Sequence, residues 1–350
     1  MLICRTKEEN LESLELGKTS DRKKDHIDLA FASRINSPEL DTRFFYEPLL
    51  SAHPKQGSII PRIFLGKTFR FPLWVSSMTG GTKEAGIINR NLARAANEFG
   101  FGMGLGSCRI ILDDDTHLKD FQLRKEIGND QAFYANLGIA QIENLLQNGK
   151  ANKIKELVDK LEADGLIIHI NPLQEWLQPE GDIIREIPIV TVKRVMDHFK
   201  GKIIVKEVGQ GMGPASLKAL LELPLAGIEL AANGGTNFAL LELLRANPEK
   251  QEVYKAIPHL GHSAEEMLDW TNSLVEQASF PCKDLILSGG VNDFLDGYYL
   301  MEKSRMNAVY GQASALLKRA RGGYEELQQY IMEQIRGYEL AQAYLTLREK

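Results

Sequence analysis

The sequence predicts a closed (β/α)8 barrel. Three observations predict it: short apolar runs alternate with amphipathic helical stretches from about residue 73, eight such units follow one another, and polar or glycine residues punctuate nearly every run's C-terminal end. Eight units in roughly 250 residues is the size of such a barrel, and strict alternation favours a parallel sheet. An open doubly wound sheet is the structural alternative. A site ringed by many βα loops fits the closed form better.

The units run in order. Leu-Trp-Val-Ser-Ser (73–77) precedes a helix expected over 83–99, and Met-Gly-Leu (103–105) one over 117–127. Ala-Phe-Tyr-Ala (132–135) leads into one or two helices within 140–163. Gly-Leu-Ile-Ile-His-Ile (165–170) precedes a helix over 182–198, and Lys-Ile-Ile-Val-Lys (202–206) one over 214–222. Gly-Ile-Glu-Leu (227–230) precedes 237–245, with a loop insertion over 247–261 and more helix over 262–279. Asp-Leu-Ile-Leu (284–287) leads to 293–303, and Asn-Ala-Val-Tyr (307–310) to a final helical region over 312–345. In that last region Leu327, Ile331, Ile335, Tyr338, Ala341 and Leu345 form a stripe at helical spacing, read as barrel-closing or subunit-packing surface. Residues 1–65 are polar and irregular, too short for an independent domain of much stability, and read as an extension packed on a barrel of 66–350.

Composition narrows the function. The chain has 350 residues, 43% hydrophobic and 25% charged, with net charge -5. That balance argues against an electrostatic nucleic-acid binder. No run approaches the roughly 18 apolar residues of a membrane span, and the charged N-terminus lacks a signal-peptide core. Cys4, Cys108 and Cys282 are far apart, with no CxxC pair, so neither a disulfide framework nor a structural zinc site is indicated. The expectation is a cytoplasmic globular protein.

Chemistry gathers at the strand exits. Strands six, seven and eight run into Gly234-Gly235-Thr236, Ser288-Gly289-Gly290 and Gly311-Gln312-Ala313. Glycine lets backbone approach an anion closely, and the last strands of barrels often hold phosphate. On strand four, side-chain alternation puts Ile167, His169 and Asn171 on one side, facing the mouth. Pro172 ends that strand and Gln174 and Glu175 follow on the loop, so an imidazole, two carboxamides and a carboxylate converge. Lys206, at the end of strand five, can reach a cofactor ring or an anion, or form a Schiff base. Arg109 can fork onto a phosphate. Cys108 beside it invites a nucleophile reading, but a free cysteine is more often an inert small hydrophobe. Arg-Lys-Lys-Asp-His (22–26) reads from composition alone as a solvated charge run.

Together these segments resemble the type 2 isopentenyl-diphosphate isomerase family. The resemblance runs from about Arg22 to Ala313, through Arg-Lys-Lys-Asp-His (22–26), Phe-Leu-Gly-Lys (64–67), Met-Thr-Gly-Gly (78–81), Gly-Ser-Cys-Arg (106–109) and Asn-Leu-Gly (136–138). It continues through His-Ile-Asn-Pro-Leu-Gln-Glu (169–175), Pro-Glu-Gly-Asp (179–182), Val-Lys-Glu-Val-Gly (205–209), Gly-Gly-Thr-Asn-Phe (234–238) and Ser-Gly-Gly (288–290). The His-x-Asn-x-x-Gln-Glu string with Pro-Glu-Gly-Asp after it is the specific element. Two departures stand out: Cys108 where the family usually has Gln, and Glu-Leu-Ala-Ala-Asn (229–233) where it more often has an aspartate-containing stretch.

The resemblance implies an FMN- and Mg2+-dependent, redox-neutral 1,3-proton shift between isopentenyl and dimethylallyl diphosphate, with FMN reduced by NADPH, in a homo-oligomer. It implies that Gln174 faces the migrating double bond and Glu175 holds the metal. Arg22, Lys23, His26, Ser107, Arg109, His169 and Asn171 would meet the substrate. Met78, Thr79, Gly80, Ser107, Asn136, Lys206, Thr236, Ser288, Gly289, Gly290, Gln312 and Ala313 would line the flavin. The rival readings are an FMN oxidoreductase of the 2-hydroxy-acid oxidase type and a non-catalytic flavin- or prenyl-diphosphate-binding protein. The former needs a histidine–arginine pair late in the barrel, where this chain has Ser-Gly-Gly.

Overall fold

The computed structural model describes residues 21–77 and 79–348. They fall into two compact units, residues 21–45 and Tyr46–Arg348. In the first, residues 21–29 are helical and exposed. A single 3-10 turn, Ser37–Glu39, follows, and its start is tied by a reciprocal Asn36–Glu39 capping box.

The second unit is a closed barrel of eight parallel strands. They are β1 (Leu73–Val75), β2 (Gly102–Gly104), β3 (Phe133–Gly138), β4 (Gly165–His169), β5 (Lys202–Lys206), β6 (Gly227–Glu229), β7 (Asp284–Ser288) and β8 (Asn307–Gln312). β8 pairs back onto β1, with Tyr310 opposite Leu73. Closure requires the interior to be filled. Trp74 and Tyr134 fill much of it edge to face, their ring centroids 5.9 Å apart. Glycines make the room: a Cβ on Gly102 or Gly104 would lie 2.5 Å from Trp74 or Ile167, and one on Gly165 2.6 Å from Tyr134.

A hairpin of Arg62–Phe64 and Lys67–Phe69 reaches the N-terminal strand ends. Asp284 accepts from the Leu65 N–H at 2.8 Å, Arg62 donates to the Ala308 carbonyl at 2.8 Å, and Lys67 pairs with Asp164 at 3.4 Å. That end is occupied, which leaves the C-terminal mouth for chemistry.

The predicted helices are mostly present, with five differences, the first being that the helix expected over 182–198 begins only at Pro188 and runs to His198. The helix expected over 117–127 is instead a 3-10 turn, Leu118–Asp120, and one short α-turn, Arg124–Ile127. Gln174 and Glu175 lie on a short helix, Pro172–Leu177, rather than on a loop. Pro172 starts that helix, because at its first position a missing N–H costs nothing. The stretch 247–261 carries a helix, Pro248–Tyr254, capped by Asn247, and a 3-10 turn. The last region is two helices, Ser314–Gly322 and Tyr324–Tyr344, broken at Gly323, whose φ is +144°. The stripe on the second of these packs inward, where Tyr338 stacks on Tyr310 and meets Phe71 edge to face.

Candidate active site

The site can be followed from β2 round to β8. Asn136, inside the end of β3, donates to the Leu105 carbonyl at 2.8 Å. Its Oδ1 therefore faces the His169 Nδ1 at 2.8 Å as an acceptor, so Nδ1 carries the proton and Nε2 is bare. Burial, with the Lys206 charge second, pushes His169 down to about 3. The ring is neutral at ordinary pH.

Asn171 flanks the start of the Pro172–Leu177 helix without a side-chain capping bond and is buried. Its Nδ2 donates to Gln174 Oε1 at 3.1 Å and to Glu175 Oε1 at 3.0 Å, and its Oδ1 has no partner among the described residues. The other Glu175 oxygen accepts the Asp182 N–H at 2.7 Å. Gln174 in turn donates to Glu242 at 3.4 Å. Glu242 is 2% exposed on the helix Phe238–Arg245 and also binds Arg245 at 2.7 Å. Arg109, on the turn after β2, pairs with Asp182 at 2.8 Å. One hydrogen-bonded string thus joins Arg109, Asp182, Glu175, Asn171, Gln174 and Glu242.

A cleft opens beside it, on the exits of β5 to β8 and β1. Six of the residues the resemblance assigns to the flavin line it: Lys206, Thr236, Ser288, Gly289, Gly290 and Ala313. Its walls are backbone packed on backbone. A Cβ on Gly289 would lie 2.2 Å from the Ala232 backbone, and one on Gly209 2.2 Å from the Thr236 carbonyl. Ala231, between these loops, sits at φ +44°, a left-handed conformation that costs an alanine strain and clusters at functional sites. The helix Ser314–Gly322 starts at the cleft with no side chain capping it. Its first N–H groups are therefore left for an anion.

Other expected residues lie elsewhere. Asn136 acts on His169, and Gln312 is buried at the β8 exit. The Thr79 carbonyl accepts from Asn89 at 3.2 Å, and that backbone lies so close to Gly106 that a Cβ there would be 2.5 Å away. Gly80 is packed under Phe121, and Ser107 is exposed beside Arg109. Arg22, Lys23 and His26 lie on the exposed helical residues 21–29, while Met78 lies outside the described residues. Cys108 is fully buried and burial pushes its thiol up to about 12, so it is no nucleophile. No group of three or more metal-binding side chains occurs among the described residues. No helix there is long and apolar enough to cross a membrane.

Sequence reasoning missed Glu242, Glu229, Ser76 and Ser77. Glu229 is fully buried, with one oxygen accepting from Ser288 at 3.1 Å and the other unpartnered at the cleft. Ser76 and Ser77 add two more unpartnered hydroxyls there. The available signal was polarity out of place: an acid amid Leu-Leu-Glu-Leu-Leu, and two serines ending an apolar strand.

A closed parallel barrel with a glycine-walled cleft on its last strands and a carboxamide–carboxylate cluster at its mouth defines a (β/α)8-barrel enzyme scaffold. Solved barrels agree in fold. A flavocytochrome b2 variant with benzoylformate covers 87% of this chain and 76% of its own at TM-score 0.59 and 13% identity. A mandelate oxidase variant with an FMN adduct covers 85% and 83% at TM-score 0.51 and 13% identity. No family model matches the chain. Curated relatives are nearer in sequence. The isopentenyl-diphosphate delta-isomerase of Rickettsia typhi is 31% identical over 94% of this chain and 95% of its own. That of Cronobacter sakazakii is 34% identical over 85% and 84%, and that of Deinococcus radiodurans 37% over 67% and 66%. The chain belongs to the type 2 isopentenyl-diphosphate isomerase family.

Proposed function

We propose that this protein interconverts isopentenyl and dimethylallyl diphosphate by a redox-neutral 1,3-proton shift, with reduced FMN and Mg2+. The observation that carries the reading is the Arg109-to-Glu242 string, which presents a cation for phosphate, a carboxylate for a metal and a carboxamide for an alkene within one connected cluster.

The cleft fits FMN. Its glycine walls leave no room for a Cβ, the uncapped Ser314–Gly322 helix suits a phosphate, and Ser76, Ser77 and Glu229 offer buried polar atoms in want of partners. Bound and reduced, for which NADPH is the expected donor, FMN supplies an electron-rich ring that can exchange a proton beside an allylic unit. Lys206 lines the same cleft and places a positive charge near that ring. Glu175 would hold the Mg2+ that a diphosphate brings with it, and the ion would supply charge to the phosphate oxygens there. Arg109 grips the phosphate oxygens. The bare Nε2 of His169 accepts a proton when the diphosphate charge raises its affinity for one, and the imidazolium then donates to a phosphate oxygen. Gln174, anchored between Asn171 and Glu242, would lie against the reacting carbons, where its carboxamide can orient a water that takes the proton lost at one carbon and returns one to the other.

An oxidase of 2-hydroxy acids is disfavoured, because the β7 exit forms part of the cradle and carries no histidine–arginine pair. Replacing Gln174 by Ala tests the assignment. Turnover should fall by about a hundredfold or more while FMN stays bound. Unchanged turnover, or loss of FMN in step with turnover, would remove Gln174 from the chemistry.

A further inference from the structure

In the proposed reaction the Pro-Glu-Gly-Asp segment (179–182) serves so far only as a link in the hydrogen-bonded string, through Asp182. We propose that Asp182 is a built-in counter-ion of the diphosphate site: it holds Arg109 in the free protein and yields it only to a multiply charged phosphate group. This rests on the isomerase reading of the site.

Asp182 is the more tethered of the two partners. The loop before Asp182 lies tight against the Pro172–Leu177 helix, so tight that a Cβ on Gly181 would fall 1.9 Å from the Glu175 carbonyl. The Asp182 N–H is spent on Glu175, and its Oδ2 accepts from Gln141 at 2.9 Å. Gln141 is itself buried on the helix Ile139–Gln147. The same Oδ2 takes Arg109 at 2.8 Å, and both side chains of the pair are open to water, Arg109 52% and Asp182 40% exposed, with Arg109 at the head of a short 3-10 turn. An ion pair this open to water is weak and exchanges readily. A diphosphate offers several charged oxygens and a two-pronged grip on the guanidinium, which outcompetes one shared carboxylate oxygen. An alcohol or a neutral prenyl compound has nothing to exchange. Asp182 therefore keeps Arg109 neutralised in the free protein, at a modest cost in diphosphate affinity.

Binding of inorganic pyrophosphate to the FMN-loaded protein with Mg2+, measured by titration calorimetry, tests this in four proteins: the natural chain, Asp182→Asn, Arg109→Ala and the double variant. Asparagine keeps an oxygen for Gln141 and the N–H for Glu175, so only the charge is lost. Asp182→Asn should bind pyrophosphate about two- to fivefold tighter, the worth of an exposed pair. Arg109→Ala should bind it at least roughly tenfold more weakly, as for a lost charge-assisted contact. In the Arg109→Ala background the Asp182 change should have no effect. Equal tightening in both backgrounds would mean general repulsion and overturn the proposal. Unchanged or weaker binding by Asp182→Asn, with Arg109→Ala still impaired, would overturn the counter-ion role and leave the site reading standing. Natural affinity in Arg109→Ala would overturn both. Bound FMN reports folding in every variant, and Asp182→Ser, which also removes the charge, carries the same test should Asp182→Asn lose its flavin.

Discussion

His169, half-buried at the end of β4, is neutral because desolvation penalises its charged form, the Lys206 charge lies close and its Nδ1 donates to Asn136. Its folded-state affinity for protons, near pH 3, lies below the unfolded value of 6.5, the reverse of the commoner histidine case. The stability it contributes is therefore fully present above about pH 6.5 and is lost as pH falls toward 3. At about pH 5 the unfolded chain gains roughly 2 kcal/mol from protonating this residue, at 1.36 kcal/mol per pH unit. His169→Gln should accordingly flatten the fall in melting temperature between about pH 7 and 5. An identical pH profile in the variant would contradict the neutral assignment. Ile167 and His169 were legible in the sequence because alternation orders them within β4, whereas Asn171 lies past its end, at the flank of the Pro172–Leu177 helix. Glu242 was not legible, since its contact with Gln174 joins positions 68 apart across two helices.

At the level of the elements, the cradle is a packing device before it is a binding site. The loops after β5, β6 and β7 touch through backbone at Gly209, Ala232 and Gly289, and Gly289 also needs φ +100°. Gly289→Ala forces a Cβ to within 2.2 Å of main chain that cannot yield. FMN affinity should drop by more than about tenfold in a fluorescence titration, as strain of roughly 1–3 kcal/mol implies. Natural affinity in that variant would show that the loops can part and that the cradle is not rigid. The elements read well from sequence where a sustained amphipathic period exists, as in Lys83–Phe99, which matches its predicted bounds. They read poorly where an element is too short to show a period. Pro172–Leu177 has six residues, and the span expected as helix 117–127 breaks into a 3-10 turn and a single α-turn.

For the Tyr46–Arg348 barrel as a whole, one end is occupied and the other reactive. The 62–69 hairpin engages the N-terminal strand ends, and the Tyr324–Tyr344 helix clamps the β8 side through Tyr338, which contacts Tyr310, Phe71 and Tyr298. Tyr338→Ala removes that clamp and should cost about 3–5 kcal/mol in denaturant unfolding, the usual toll of a buried aromatic. A loss below about 1 kcal/mol would mean the helix is not part of the cooperative unit. Barrel closure was foreseeable from eight β-then-α units, while the aromatic stack was not, since it depends on which side chains meet across β8, the Phe71 segment and the last helix. The central claim is a redox-neutral isomerisation at the mouth of this barrel, and its most direct test is anaerobic incubation with FMN, Mg2+, NADPH and isopentenyl diphosphate, alongside a control without reductant. Dimethylallyl diphosphate should form in large excess over protein, with no matching consumption of NADPH and none formed in the control. A flavin-loaded protein that yields no product, or one that consumes NADPH mole for mole, would contradict it.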